Sequence, residues 1–116
     1  MGSIEESFMN ALSFQEEALG EFLMKNPNIG DVLSKGDSEE SDRILSREIF
    51  GKLDQDMLGD LGDSYQQVMI ECEYDSDANK FKAYENNGEI KERCQNALNH
   101  LKSMTSRFAE GVRSLL

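Results

Sequence analysis

A series of apolar residues spaced alternately four and three positions apart restricts the fold of this chain more than any other feature of its sequence. The series, which we name the C-terminal stripe, consists of Ile90, Cys94, Ala97, Leu101, Met104, Phe108 and Leu115, and it is interrupted only at Gly111. Heptad spacing places such side chains on one face of a helix, which must then be buried against another long helix. The sequence therefore predicts a long C-terminal helix over residues 89–115.

Helical spacing and end signals predict the earlier elements. Ser3 and Glu6 have the spacing of a capping box and predict a helix over 4–25, which Pro27 ends. A loop is expected over 26–37, followed by helices over 38–58 and 61–84. The two latter helices could be one continuous rod, but two glycines in a helix interior are costly, so we favour a break at Gly59 or Gly62.

These elements predict an all-α fold, an antiparallel helical bundle of three to four helices with a long C-terminal helix. We expect residues 1–116 to form a single helical domain, with dimerisation as a further way to cover its apolar surface. Composition supports helix over sheet, because Glu, Lys, Leu, Met and Ala are common whereas valine occurs only three times. No run of residues alternates apolar and polar side chains as a strand would.

The charge of the chain is strongly negative and unevenly distributed. The net charge is −11, and residues 1–88 carry 20 acidic and 7 basic residues, while residues 89–116 carry 3 acidic and 5 basic ones. Direct binding to nucleic acid or to an anionic membrane requires Lys and Arg to neutralise phosphates. We therefore expect neither, and no apolar run approaches the roughly 18 residues of a membrane span.

No catalytic, cofactor or metal site is predicted. The segment Asp75 to Asn79 resembles the start of a calcium-binding EF-hand loop, but Lys80 occupies the position that needs glycine and Asn86 the position that needs glutamate. The single histidine, His100, cannot form a histidine-based metal site within one chain. A solvated turn and a surface histidine are the expected structures.

The two cysteines are expected to be reduced thiols. If the helices on both sides of the turn at 86–88 are continuous, Cys72 and Cys94 lie at different distances from the turn along the helix axes and cannot form a disulfide. A disulfide becomes feasible only if residues 75–87 form a loop. Because the start, Met1 to Glu6, also shows neither the basic nor the apolar region of a secretory signal, we expect a cytoplasmic protein.

These observations favour a non-catalytic helical protein–protein interaction module, such as an adaptor, a chaperone-like protein or a regulatory subunit. It would bind partner helices, in a homodimer or a hetero-complex, through apolar stripes. The expected partner-binding residues are Ile90, Ala97, Leu101, Met104, Phe108 and Leu115. The alternative is an acidic inhibitor or nucleic-acid mimic that blocks a basic site on a partner protein.

Overall fold

The computed structural model describes residues 3–116, which are mostly helical. The elements are α1 (Ile4–Lys25), α2 (Pro27–Lys35), α3 (Ser38–Glu48), a 3₁₀ turn (Phe50–Lys52), α4 (Gln55–Glu71), β1 (Tyr74–Asp75), β2 (Lys80–Phe81) and α5 (Glu92–Arg113). The predominance of helix and the long C-terminal helix are confirmed, whereas the small sheet departs from the all-α prediction. Met1 and Gly2, part of the segment in which no secretory signal was found, lie outside the described residues.

The first helix begins and ends as predicted, but the expected loop after it is largely a second helix. Ser3 caps α1 by accepting a hydrogen bond from the Glu6 backbone N–H at 3.0 Å. Asn26 closes the helix with its side-chain amide donating to the Phe22 carbonyl. The loop prediction for 26–37 is wrong because Pro27, which cannot continue α1, is well suited to the first position of α2.

The break between the two middle helices lies earlier in the chain than Gly59 and Gly62, where it was predicted. Asp37 caps α3, which ends at Glu48 instead of residue 58. The Asp54 carboxylate then accepts hydrogen bonds from two backbone N–H groups and begins α4, which runs without interruption through Gly59 and Gly62. The predicted break at these glycines is wrong, because both lie on the exposed side of a helix whose other side is packed into the core.

A hairpin replaces the second half of the helix predicted over 61–84. Glu73 takes a left-handed conformation two residues after α4 ends. The antiparallel pair of strands then aligns Tyr74 with Phe81. Asp75 accepts hydrogen bonds from the backbone of two turn residues, and Asn79 closes the turn with a positive φ of 52°. Short polar side chains that stabilise turns therefore outweigh the apolar spacing that predicted a helix here.

The helix α5 lies at the centre of the core, in contact with both α1 and α4. Nine of its 22 residues are buried. The molecule is elongated, measuring 52 × 28 × 23 Å along its principal axes. Among residues 3–116, no helix combines the length and apolar character needed to cross a membrane.

Candidate functional site

The residues predicted to bind a partner lie mostly inside this chain's own core. Ala97, Leu101, Met104 and Phe108 are at most 7% exposed, and all pack in the core cluster together with residues of α1 and α4. Ile90 and Leu115 are half-buried at the two ends of the stripe. A partner could therefore reach only the ends of the C-terminal stripe without opening the fold.

The cysteines form a buried disulfide, so the prediction of two reduced thiols is wrong. Cys72 and Cys94 have Cα atoms 4.6 Å apart, and both side chains are fully buried. The physical reason is that the hairpin and the following turn, closed by a bridge between Tyr84 and Ile90, return the chain from the end of α4 to the first turn of α5. This is the loop condition under which the sequence allowed a bridge.

The Glu5 carboxylate links the hairpin to the start of α1 through hydrogen bonds. Glu5 accepts a hydrogen bond from the Phe81 backbone N–H at 3.0 Å and another from the Tyr84 hydroxyl at 3.2 Å. The same hydroxyl accepts from the backbone N–H of Ile4. The Phe81 N–H, helped by the Tyr84 hydroxyl, holds the pKa of Glu5 below its ordinary value of 4.5. Glu5 therefore joins α1 to the hairpin most strongly when it is ionised.

The segment that resembles an EF-hand loop is the hairpin turn itself. A hydrogen bond from Lys82 is the main reason that the pKa of Asp75 lies below its ordinary value, with the turn backbone adding to it. No group of three or more His, Cys, Asp or Glu side chains within residues 3–116 could hold a metal ion. His100 is exposed on α5, beside a shallow cleft that Gln67 and Arg93 also line.

The most distinctive surface lies on α4, on the side turned away from the core. We name it the α4 outer face, and it consists of Asp56, Gly59, Asp60, Gly62, Asp63, Gln66, Gln67, Met69 and Ile70, all of which are exposed. It belongs to a stretch between Lys52 and Lys80 that contains eight acidic residues and no basic one. The face therefore has negative charge with no basic residue of its own.

The three aspartates of this face differ from the acids that follow them. Glu71 and Glu73 form ion pairs with Arg93 and Lys91, at 3.6 and 3.0 Å. In the part of the chain that the structure describes, Asp56, Asp60 and Asp63 form no such pair. Their charges are therefore available to a basic partner.

The C-terminal end of the α4 outer face is apolar. Ile70 is 68% exposed, and Met69 and, in β1, Tyr74 are each 36% exposed. Large exposed apolar side chains bordered by polar groups are found at many protein interfaces. This end lies directly before Cys72, so the disulfide fixes it to α5.

The sequence did not identify this patch, although a signal for it was present. The helix predicted over 61–84 carried no assignment of its exposed side, and the buried residues of α4 are Met57, Leu61, Ser64 and Val68. At 100° per residue, Ile70 points about 200° away from Val68, toward solvent. The base-free acidic stretch could also be counted from the sequence, but its exposure required knowing where α4 begins and ends.

No protein-family model, curated protein or solved structure matches this chain.

Proposed function

We propose that this chain is a non-catalytic helical module that binds a basic protein partner through the α4 outer face. The observation that carries the proposal is the arrangement of three unpaired aspartates along one exposed face that ends in the exposed side chain of Ile70. The proposal keeps the predicted interaction function. It moves the contact from the C-terminal stripe to a surface that a partner can reach.

The acidic and apolar parts of the face would serve different steps of binding. Unpaired aspartates attract a basic partner over a distance and orient it, and this attraction weakens as salt is added. Ile70 and Met69 supply apolar contact that can be desolvated at the centre of an interface, and such contacts depend little on salt. A partner with lysines or arginines beside an aliphatic or aromatic side chain fits this arrangement best.

The disulfide supports the proposal by holding the apolar end in place. Cys72 is the C-cap that directly follows α4, and its bond to Cys94 ties that end to the core helix. A surface already held in its binding conformation loses less conformational entropy when a partner docks. The apolar end is therefore well suited to act as the anchor of the interface.

The predicted alternative, a nucleic-acid mimic, would use the acidic part of the α4 outer face but not its apolar end. A surface that imitates phosphates gains nothing from an exposed isoleucine, so an ordinary protein interface is the better proposal. The predicted homodimer remains a prediction. The C-terminal stripe is occupied within the chain, so self-association through it would be limited to residues near Ile90 and Leu115.

We further propose that the protein works in an oxidising compartment. The cytoplasmic prediction depended on reduced cysteines, and a disulfide of this kind is uncommon in the reducing cytosol. Protein isolated from its native source under alkylating conditions should take up no alkyl group until it is denatured and reduced, and then two. Uptake of two groups by denatured protein that has not been reduced would contradict this proposal.

The binding proposal can be tested with a defined basic probe, a fluorescein-labelled amphipathic peptide of Lys and Leu. We expect binding by fluorescence anisotropy that weakens as ionic strength rises. Neutralising Asp56, Asp60 and Asp63 together to asparagine should weaken it about fivefold, because exposed charge pairs each contribute a few tenths of a kcal/mol or more. Ile70→Ser should weaken it by a similar factor of about five even at high salt, since it removes the apolar anchor.

The matched control is a triple variant on α3, in which Glu39→Gln, Glu40→Gln and Asp42→Asn remove the same charge from another exposed acidic helix. It should change the affinity less than twofold, an effect within the range of ordinary surface substitutions (about 0.5 kcal/mol). Equal weakening by the two triple variants would show that the peptide responds only to net charge, and it would contradict the proposal.

A further inference from the structure

A groove between α1 and α5 is the second surface with the properties of a binding site. Its floor is apolar and is formed by Ala11, Phe14 and Leu98, the first and last of which are buried. Its rim is polar and includes Asn10, Asn99 and Lys102. The volume is about 350 Å³, near the lower end of the range for small-molecule pockets. It shares no residue with the α4 outer face.

The charge of this groove is opposite to that of the molecule. The chain has a net charge of −11, yet no acidic residue lines the groove and Lys102 is its one cation. In the part of the chain that the structure describes, Lys102 takes part in no ion pair. Its ammonium group is therefore available to a ligand, and the side-chain amides of Asn10 and Asn99 lie on the same rim to donate further hydrogen bonds.

We propose that the groove binds a small organic carboxylate with an apolar tail. The tail would lie on Ala11, Phe14 and Leu98, and the carboxylate would accept hydrogen bonds from Lys102 and the rim amides. A cation above an apolar floor selects against neutral alkanes and against amines. An exposed charge pair and a small floor give weak affinity, and we expect a dissociation constant of about 0.1–1 mM.

The test uses octanoate as the probe and the whole chain as the protein. Backbone amide signals should shift on titration for residues that line the groove, in α1 and α5, and not for the α4 outer face. Octylamine, which has the same tail with the opposite charge, should bind at least about fivefold more weakly, because Lys102 repels it. Shifts scattered over the whole surface, or equal binding of the two probes, would overturn the proposal.

Two exposed substitutions test the role of charge without touching the core. Lys102→Gln should weaken octanoate binding about fivefold or more, while the control Lys25→Gln, at the far end of α1, should leave it unchanged. Asn99→Asp should weaken octanoate binding and remove the preference over octylamine, because the new carboxylate offsets the charge of Lys102. Unchanged octanoate binding in both Lys102→Gln and Asn99→Asp would show that the rim does not select the ligand, and the proposal would be wrong.

Discussion

The helix α5 and the segment from α2 to α3 show how differently two amphipathic parts of one chain can be used. We name residues 27–48 the α2–α3 arm. α5 buries nine residues, whereas α2 buries none and α3 buries only Ile44. Because both regions have helical apolar spacing, the spacing alone does not decide burial. α5 has long helices on two sides, while the main neighbours of the arm are α1 and the 3₁₀ turn.

This difference leads us to expect unequal local stability. Segments with few buried contacts open with a small free energy, while the core opens only when the whole fold unfolds. The disulfide and the Glu5 contacts reinforce the core at the end where α1, the hairpin and α5 meet. The binding surface that we propose on α4 therefore belongs to the stable region, and the arm is the part that can open without disturbing it.

The largest expected effect comes from placing a charge in each region. Leu101→Asp should destabilise the fold by about 4 kcal/mol or more, because Leu101 is 1% exposed at the centre of the core. The matched variant Val32→Asp, at a position 43% exposed on α2, should cost no more than about 0.5 kcal/mol. Urea denaturation followed by circular dichroism measures both. Similar losses would remove the distinction between core and arm.

The disulfide should have the next largest effect. Closing a loop with a sequence separation of 22 contributes roughly 3 kcal/mol, so the double variant Cys72→Ala and Cys94→Ala should lose about that much stability. Amide hydrogen exchange should speed up most in the hairpin and at the start of α5, and least in the arm. A variant as stable as the wild type would show that the bond does not hold the core end together.

Removing the charge of Glu5 should have a smaller effect that depends on pH. Glu5→Gln should cost about 1–2 kcal/mol at neutral pH, because it weakens two hydrogen bonds to a carboxylate. The pKa of Glu5 is lowered by folding, so its stabilisation is complete above the ordinary pKa of 4.5 and is lost as pH falls through the lower folded value. The difference between variant and wild type should therefore shrink below pH 4.5.

The exposed Glu16→Gln is the control, since Glu16 forms no ion pair or side-chain hydrogen bond within residues 3–116. It should change stability little at any pH. The role given to the ionised carboxylate would be contradicted if Glu5→Gln lowered the free energy of unfolding by the same amount at neutral and at acid pH.

The smallest effect concerns two glycines with different surroundings. A Cβ at Gly62 would meet nothing within 4 Å, so Gly62→Ala should stabilise α4 by about 0.5–1 kcal/mol. A Cβ at Gly51, where the arm joins the core, would lie 2.7 Å from the Ser46 carbonyl oxygen, so Gly51→Ala should destabilise. Thermal unfolding measures the two changes, and a loss of stability in Gly62→Ala would contradict a solvent-facing glycine.

Local signals in the sequence predicted several elements well. The spacing of Ser3 and Glu6 correctly predicted where α1 begins. The heptad spacing predicted both ends of α5 to within a few residues. These predictions succeeded because caps and helical periodicity depend on residues close together in the chain. Whether Leu101 is buried within the chain or available to a partner was harder to predict. An apolar stripe has the same spacing in the sequence in both cases.

The errors arose where distant residues decide the structure. The spacing through Cys72 continued that of a helix, but turn-forming side chains after it and the pairing of Tyr74 with Phe81 favour a hairpin. Cys94 lies 22 residues away, so the bridge depended on that hairpin. The outer face of α4 was missed for a related reason. Whether Ile70 is exposed depends on which side of the helix α5 covers.

The measurement that tests our account most directly is an amide NMR titration of the whole, oxidised chain with the amphipathic peptide of Lys and Leu. We expect the shifted signals to form one continuous surface on the α4 outer face, from Asp56 to Ile70, while the signals of the arm and the C-terminal stripe stay unchanged. Shifts centred on the α2–α3 arm, or loss of the core signals of α5 as the peptide opens the fold, would contradict it.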